Sequence, residues 1–399
     1  MTDDLPVLRL KPKTDARPIR HGAPWVYDNE VVLDRRTKGL APGTLARLED
    51  GERRGLALVG LNPGSRIIGR VLDRAEVTGI DAAWFAARLR AALALREALY
   101  DAPFYRLVHA EADGLPGVII DRFGDTAVIQ PNAAWAEALL GPLTEALVSV
   151  TGCAHVLKNA GGRARALEGL DDAHAVLHGK APGAPIAVPM NGATYMADLT
   201  GGQKTGLFYD QRPNQAFVAR LARQGATVLD VFSHVGGFSL AALAAGAGSA
   251  LAVDGSAPAL ELAQAGAEVG GVADRFETRQ GDAFDMMQEL ADEGRTFDVV
   301  ICDPPAFAPS KPALDKGLRA YERVARLGAL LTAPGGFLTV CSCSHAADLS
   351  KFRTASSRGI GRAGRRGALI RQGFAGPDHP QHPQLAESAY LKALTYRLD

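Results

Sequence analysis

Cysteine, long apolar runs and a surplus of either charge are all scarce in this chain of 399 residues. The four cysteines are too few and too clustered for a disulfide framework, and Cys341-x-Cys343-x-His345 lacks the second ligand pair of a zinc site. No apolar run approaches the length of a membrane span, and the polar start Met1–Asp4 is not typical of a signal peptide. We therefore expect a cytoplasmic protein with no bound metal and no membrane partner.

The charges balance at 44 basic and 44 acidic residues, so the total charge does not indicate a nucleic-acid binder. The basic residues are nevertheless concentrated locally, because seven of them and no acid lie between Lys351 and Gln372. Such patches can hold phosphate groups while the whole molecule stays neutral. We expect the basic N-terminal segment and residues 351–371, with Arg362, Arg365 and Arg366, to contact a phosphate backbone. The alternative is a solvated loop.

The chain is long enough for two or three domains. Residues 1–73 contain short strand-like runs broken by turn residues, which predicts a small β-barrel. Residues 74–188 predict a small α+β unit, with one helix from Asp81 to about Tyr100 and another near Trp135 to Val150. Residues 189–399 alternate strands and helices, as a doubly wound parallel sheet requires. Its predicted strands are 227–231, 249–253, 276–280, 297–302 and 336–341, with a final pair near 368–370 and 390–398.

The most informative segment is Thr227–Asp254, a strand, a glycine turn, a helix and a second strand that ends in an acid. Glycine after a parallel strand lets a ligand approach the backbone, and Asp254 can bind two ribose hydroxyls. The turn is not Gly-x-Gly-x-x-Gly, which disfavours a dehydrogenase and suits S-adenosylmethionine, a ligand without a pyrophosphate. The predicted cofactor-binding residues are Asp230, Phe232, Ser233, Gly236, Gly237, Phe238, Asp254, Ser256, Asp282, Ala283 and Asp303.

Asp282 follows the third strand of this sheet and has two interpretations of equal weight. Its carboxylate could accept a hydrogen bond from the adenine amino group of the cofactor, with Phe284 packed nearby. It could equally be only the N-cap of the next helix.

The fourth strand ends in Asp303-Pro304-Pro305-Ala306-Phe307. Two prolines restrict the backbone, so the loop carbonyls and the Asp303 carboxylate are held in place. Phe307 can stack on a planar base. An acid followed by two prolines after strand four indicates methyl transfer to a planar nitrogenous substrate.

The fifth strand ends in Val340-Cys341-Ser342-Cys343-Ser344-His345, which supplies a candidate nucleophile. Carbon 5 of a pyrimidine becomes nucleophilic when a thiolate adds to carbon 6, and it can then attack a methyl sulfonium. The base must leave its stack to reach such a pocket. We expect Cys341 to be a packed core residue and Cys343, at the strand end, to carry the chemistry.

Several motifs in order resemble the PUA-domain-containing class I methyltransferases that make 5-methylcytosine in bacterial large-subunit ribosomal RNA, the RlmI type. The motifs are Gly22–Tyr27, Glu111–Gly117, Gly202–Arg212, Asp303–Phe307, Cys341–His345, Asp378–Pro380 and Tyr390–Lys392. The resemblance implies a PUA barrel, a middle domain and a C-terminal Rossmann-like α/β methyltransferase domain. It implies S-adenosylmethionine as cofactor, ribosomal RNA as partner and Cys343 as nucleophile beside Asp303. The expected substrate-binding residues are Pro304, Pro305, Phe307, Lys204, Gln211 and Arg212.

Two departures from the family pattern are His234, where relatives often have an aromatic residue, and the stretch 356–371, which is unusually rich in Gly and Arg. In addition, many 5-methylcytosine enzymes place a second cysteine after strand four to help release the product, and the loop Asp303-Pro304-Pro305 has none. The base that removes the carbon 5 proton is therefore His345 or an ordered water. The chain could instead methylate a nitrogen of guanine or adenine, or act as a non-catalytic RNA-binding assembly factor. A homodimeric assembly also stays open.

Overall fold

The computed structural model describes residues 5–74, 77, 79–201 and 206–399. It divides into two compact units, one of Met1–Ala181 with Pro377–Ser388 and the other of Pro182–Gly376 with Ala389–Asp399. The domain boundaries after residues 73 and 188 stay predictions. Among the described residues, no helix combines the length and apolar content needed to cross a membrane.

The first unit begins with a five-stranded sheet, which contains the strand-like runs expected in residues 1–73. Its strand order is β1-β3-β4-β5-β2, with β1 and β3 parallel and the other neighbours antiparallel. Leu8, Val26, Leu48 and Val59 are among the residues that form its buried core. The elements are β1 Val7–Arg9, α1 Arg17–Arg20, β2 Trp25–Val26, α2 Arg35–Lys38, β3 Leu45–Glu49, β4 Gly55–Leu61 and β5 Gly69–Asp73.

A second five-stranded sheet, in the order β10-β9-β8-β7-β6, completes this unit with four helices. Asp81 caps α3 as expected, because its carboxylate accepts the Trp84 amide at 2.8 Å. The single helix predicted near Trp135–Val150 is wrong, because the chain breaks at Leu139 into α4 and α5. The elements are α3 Ala82–Leu99, β6 Phe104–His109, β7 Val118–Phe123, β8 Thr126–Pro131, α4 Ala134–Ala138, α5 Leu140–Thr151, β9 His155–Lys158, α6 Arg163–Leu167 and β10 Ala175–His178.

Buried ionic bonds hold the late segment Pro377–Ser388 in the first unit. The fully buried Arg96 guanidinium contacts both carboxylate oxygens of Asp113, at 2.6 and 2.8 Å. It also donates to the Asp378 carbonyl at 2.8 Å, and the Asp378 carboxylate accepts the Arg106 amide at 3.1 Å. Because buried charges are tolerated only when paired and hydrogen-bonded, this network specifies the position of the segment within the unit.

The second unit opens with a hairpin, β11 Ile186–Met190 and β12 Ala193–Ala197. Its turn residues Asn191 and Gly192 have φ of +54° and +76°, the conformation of a type I′ turn. A seven-stranded sheet follows, in the order β15-β14-β13-β16-β17-β19-β18. The elements are α7 Arg212–Leu221, β13 Thr227–Val231, α8 Gly237–Ala244, β14 Ser249–Asp254, α9 Ala257–Val269, β15 Phe276–Gln280, α10 Ala283–Asp292, β16 Phe297–Cys302, α11 Leu314–Leu331, β17 Thr332–Ser342, α12 Leu349–Arg362, β18 Gly367–Gly373 and β19 Lys392–Leu398.

The order of these strands positions the site. β13, β14, β15, β16 and β17 are parallel, so their carboxyl ends meet at one edge of the sheet. On the far side of β17, β19 pairs antiparallel with β17, and β18 pairs antiparallel with β19. The inner strands β13, β14 and β16 are mostly apolar because helices cover both faces of the sheet, whereas the edge strand β15 is mostly polar. Polar side chains at their ends therefore gather at the edge, where ligands of open α/β sheets bind.

The close packing around Gly60 predicts that any larger residue at this position destabilises the fold. A Cβ at position 60 would lie 2.5 Å from the Cβ of the buried Trp135, whereas one at Gly55 on the same strand would meet nothing within 4 Å. We expect Gly60→Ala to lower the free energy of unfolding by about 1–3 kcal/mol through overpacking. Gly55→Ala should change it by less than about 0.5 kcal/mol. Urea unfolding followed by tryptophan fluorescence measures both, and equal effects would contradict the packing.

Candidate functional site

The loop after β13 has a backbone conformation that residues other than glycine rarely adopt. Phe232, His234 and Gly236 have φ of +62°, +49° and +75°, in the left-handed region. A Cβ at Gly237 would lie 2.6 Å from Nε2 of the buried Gln215, so a larger residue would displace the end of that side chain. The Tyr195 hydroxyl of β12 donates to the Gly237 carbonyl at 3.0 Å. The hairpin and α7 therefore support the loop from outside the sheet.

Asp230 is a fully buried carboxylate beneath this loop. Its Oδ2 accepts hydrogen bonds from the Phe238 and Ser239 amides at 3.2 and 2.9 Å and from the Ser239 hydroxyl at 2.6 Å. Burial raises the pKa of Asp230 to about 6, although these bonds oppose the increase. Asp230 thus binds the start of α8. Its Oδ1 and the buried Ser233 Oγ have no protein partner among the described residues.

Asp254 ends β14 and connects two loops at the same edge. Its Oδ2 accepts the His234 amide at 2.8 Å and its Oδ1 accepts the Ser256 amide at 2.9 Å. The Ser256 hydroxyl in turn accepts the Ala259 amide at 3.3 Å and caps α9. The carboxylate is therefore held in one orientation, and its remaining lone pairs stay available for hydroxyl donors.

Asp282 has the N-cap role that the sequence left open. Its Oδ1 accepts the Phe284 and Asp285 amides at 2.9 and 3.2 Å, at the start of α10. Its Oδ2 takes part in neither bond and the residue is exposed. The neighbouring Ala283 is buried in the core. The cap therefore accounts for one carboxylate oxygen and leaves the other at the surface.

Asp303 follows β16 and contacts a buried amide. Its Oδ2 accepts a hydrogen bond from Gln211 Nε2 at 2.9 Å, and Gln211 also interacts with the Cys341 thiol. Gln211 Oε1 accepts from the buried Asn214 at 2.7 Å. Pro304 is buried and Pro305 exposed. This network fixes the carboxylate just where the chain leaves the sheet.

The Phe307 ring packs against three other aromatic rings. Its ring centroid is 6.0 Å from Phe284, 6.4 Å from Phe232 and 5.0 Å from Tyr321. These tilted and edge-to-face arrangements are the usual ones between packed rings. Phe307 is therefore shared between the core and the surface of the site.

Cys341 and Cys343 differ in exposure at the end of β17. Cys341 is fully buried, and burial raises its pKa well above the usual value of a thiol. Cys343 is partly exposed and follows the last strand residue. The register pairs Cys302 with Val340, so Asp303 and Cys341 occupy adjacent strand ends. The prediction of Cys341 as packing is consistent with its burial.

The remaining substrate-binding predictions fall in different places. Lys204 lies outside the described residues. Arg212 begins α7, with its guanidinium carbon 5.5 Å from the Tyr209 ring centroid. Gln215, Ser239 and Tyr195 were missed by sequence reasoning, although they support the glycine loop. Only Gln215 had a sequence signal, because it falls just after the Gly202–Arg212 motif.

Three arginines of the basic segment 351–371 form contacts within the protein. Arg362 pairs with Glu322, and Arg366 lies 3.6 Å from Asp399. Arg365 donates to the carbonyls of Ala329 and Thr332 and to that of Asp399. Most of the segment is regular, in α12 and β18, and is not a loop. The phosphate contact expected of these three arginines stays a prediction, and it would compete with these internal contacts.

Another pair of arginines lacks such partners. Arg371 on β18 and Arg220 on α7 both lie over the Phe217 ring, at 4.3 and 5.6 Å from its centroid. Burial and the Arg220 charge lower the pKa of Arg371. Among the described residues, neither arginine pairs with a carboxylate, and Arg371 Nε is buried without a protein partner. Two like charges are thus held together with no internal anion.

Comparison with protein families gives two matches. A model of S-adenosylmethionine-dependent methyltransferases matches residues 159–397, and a PUA-like domain model matches residues 8–74. Both agree with the predicted α/β fold and N-terminal barrel.

Relatives in other bacteria extend over the whole chain. The chain is 36% identical to the ribosomal RNA large subunit methyltransferase of Deinococcus radiodurans, over 99% of this chain and 98% of that protein. It is 34% identical to ribosomal RNA large subunit methyltransferase I of Shewanella denitrificans, over 98% and 99% respectively. The Vibrio cholerae protein of the same name is 33% identical over 95% and 96%.

Solved structures show the same fold. A protein from Streptococcus mutans described as a SAM-dependent methyltransferase is 20% identical, with a TM-score of 0.82 over 98% of this chain and all 100% of that one. A methyltransferase complexed with SAH has a TM-score of 0.83 with the same identity of 20% and the same coverage. The family resemblance is confirmed. The chain belongs to the S-adenosylmethionine-dependent methyltransferases that include the ribosomal RNA large subunit methyltransferases, and S-adenosylmethionine is its cofactor.

Proposed function

We propose that this protein methylates carbon 5 of a cytosine in large-subunit ribosomal RNA, with Cys343 as a covalent nucleophile. The observation that carries the proposal is the partly exposed Cys343 at the end of β17, beside the strand that ends in Asp303. The names of the relatives support ribosomal RNA as the substrate class. A thiol at this edge has a use in methylation of a ring carbon and none in methylation of a nitrogen.

The residues at the end of β13 fit S-adenosylmethionine. Asp230 Oδ1 and Ser233 Oγ are buried polar atoms that lack a protein partner, and a bound ligand or water must satisfy them. Asp254 is oriented by two amides toward the same edge, where it would accept ribose hydroxyls. Asp282 and Phe284 would flank the adenine. When bound, the cofactor supplies the methyl group that its sulfonium activates.

Cys343 and Asp303 have distinct chemical tasks in the proposed reaction. The Cys343 thiolate adds to carbon 6 of cytosine, which moves electron density to carbon 5 and onto ring nitrogen 3. The Asp303 carboxylate, fixed by Gln211, would stabilise the proton that nitrogen 3 gains. After carbon 5 has received the methyl group, it loses its proton to a base, His345 or water. The carbon–sulfur bond then breaks, the thiolate is regenerated, and nitrogen 3 returns its proton to solvent.

The alternative is methylation of a nitrogen on guanine or adenine, because Asp303-Pro304-Pro305-Ala306-Phe307 resembles the motif of enzymes with that activity. Carbonyl and carboxylate groups can orient an amino group without any thiol. Dependence on Cys343 separates the two reactions.

Substitution of Asp254 tests the cofactor position. Asp254→Ala should weaken S-adenosylmethionine binding by about 10- to 100-fold, the equivalent of about 1.5–3 kcal/mol for a charge-assisted hydrogen bond. Isothermal titration calorimetry measures the affinity. Asp298→Ala is the matched control, since this carboxylate binds Thr227 at the opposite end of the strands. Unchanged affinity in Asp254→Ala would contradict the assignment of Asp254 as a cofactor-binding residue.

Substitution of Cys343 tests the chemistry. Cys343→Ala should abolish methyl transfer and leave S-adenosylmethionine affinity unchanged, because the cofactor does not need this sulfur. RNA containing 5-fluorocytosine should form a covalent adduct with the parent protein, since fluorine cannot leave carbon 5 as a proton does. Cys341→Ala should still form the adduct and Cys343→Ala should not. An active Cys343→Ala enzyme would overturn the covalent mechanism and favour the nitrogen-methylating alternative.

The unpaired Arg220 and Arg371 are the better candidates for a phosphate contact in the second unit. Replacement of both by alanine should reduce the slope of log affinity against log salt by about 0.7–0.9 for each phosphate that the protein no longer neutralises. The double variant of Arg362 and Arg366 removes the same charge but has internal acidic partners, so its slope should stay near that of the parent. Filter binding of a large-subunit rRNA transcript measures all three. Equal slopes for parent and Arg220/Arg371 variant would assign this pair to solvent.

A further inference from the structure

Lys392 carries a buried ammonium group at the start of β19. The residue is 4% exposed. Its Nζ donates to the carbonyl oxygens of Ser344 at 2.7 Å and Ala347 at 2.9 Å. Among the described residues it forms no ion pair with a carboxylate. A buried cation without an anionic partner is unfavourable, so its presence at this position requires a compensating interaction.

The loop that Lys392 binds is the one that carries Cys343. The register of the sheet pairs Lys392 with Ser342, and its first carbonyl acceptor belongs to the residue after Cys343. Burial lowers the pKa of Lys392 to about 8, and the charge of Cys343 is the largest effect that opposes this decrease. An interaction between two charges has the same energy viewed from either group. The ammonium must therefore favour the thiolate as the thiolate favours the ammonium.

Other titratable groups around this loop are already engaged. The Tyr321 hydroxyl of α11 bonds Ser344 Oγ at 2.7 Å, and burial raises its pKa, so it stays neutral. Asp348, which precedes α12, pairs with Lys351, and its charge also raises the pKa of Lys392, though less than the charge of Cys343 does. The His345 ring lies 5.9 Å from that of Tyr390. Asp303 is bound by Gln211. Lys392 is thus a buried cation held against the backbone of the nucleophile loop.

We propose that Lys392 is a positioning residue that stabilises the thiolate form of Cys343. The thiol proton leaves to solvent and the thiolate remains beside the ammonium, so the buried cation gains an anionic partner. The use of this thiolate in addition to carbon 6 rests on the proposed function. The stabilisation itself belongs to the protein without RNA.

The rate of Cys343 alkylation by iodoacetamide as a function of pH tests the proposal. The modification is assigned to Cys343 by fragment-ion mass spectrometry, which distinguishes it from Cys341 on the same peptide and from the buried Cys153 and Cys302. In the parent protein the midpoint should lie below about 8.5, the usual value for a free thiol. Lys392→Gln, which keeps a donor but loses the charge, should move the midpoint up by about 1 unit or more. At pH values below the midpoint its alkylation rate should fall about tenfold.

Two controls separate charge from folding. Lys316→Met removes an exposed lysine from α11 and should leave the midpoint unchanged. Lys392→Arg keeps the positive charge and should restore a low midpoint. Calorimetric affinity for S-adenosylmethionine identifies variants that keep the fold, since Lys392 does not contribute to the loop after β13.

Either of two results would overturn the proposal. One is a parent midpoint at or above about 8.5, which depends on no variant. The other is an unchanged midpoint in a Lys392→Gln protein that binds the cofactor normally. A catalytically active Cys343→Ala enzyme would instead refute the proposed function and leave the alkylation result standing, so the two failures are distinguishable.

Discussion

The bonds that the Asp230 carboxylate makes at the end of β13 set the geometry of the whole cofactor region. A carboxylate in a fully buried position is stable only if it is protonated or well bonded, and here one oxygen accepts three hydrogen bonds from the start of α8. These bonds close the strand–helix turn, in which Phe232, His234 and Gly236 have left-handed conformations. The other oxygen has no protein partner among the described residues, so a ligand or a water must satisfy it.

The same principle organises the rest of the sheet edge. Each strand end presents a polar group that is oriented by a buried donor or acceptor: Asp254 by two amides, Asp303 by Gln211, and the Cys343 loop by Lys392. Groups held in this way lose little freedom when a substrate binds, which is the basis of electrostatic preorganisation. The loops therefore lack regular secondary structure, but hydrogen bonds fix the orientation of their polar groups.

Much of this architecture is visible in local patterns. The inner parallel strands β13, β14 and β16 fall where short apolar, β-branched runs predict them, because strands buried on both faces are mostly apolar. Asp81 and α3 were likewise readable from a cap and an i, i+4 pattern. The break at Leu139 was not, since the apolar pattern continues across it. The hairpin at Asn191-Gly192 was overlooked, although that dipeptide is the strongest short-range signal for such a turn.

By itself the sequence determined the fold class, the methyltransferase family and the strand ends that carry acids, prolines and cysteines, because these depend on periodicity and on residues close together in the chain. Only the tertiary structure decided which charges are paired internally. In the sequence, Arg362 and Arg365 belong to a basic segment with no acid in it. In the fold, Arg365 donates to a carbonyl and Arg362 pairs with a carboxylate, both far away in the chain. In the sequence, Lys392 is only the last residue of the motif Tyr390–Lys392. Its burial against the Cys343 loop comes from the antiparallel pairing of β19 with β17. Such contacts join residues far apart in the chain, and no local pattern records them.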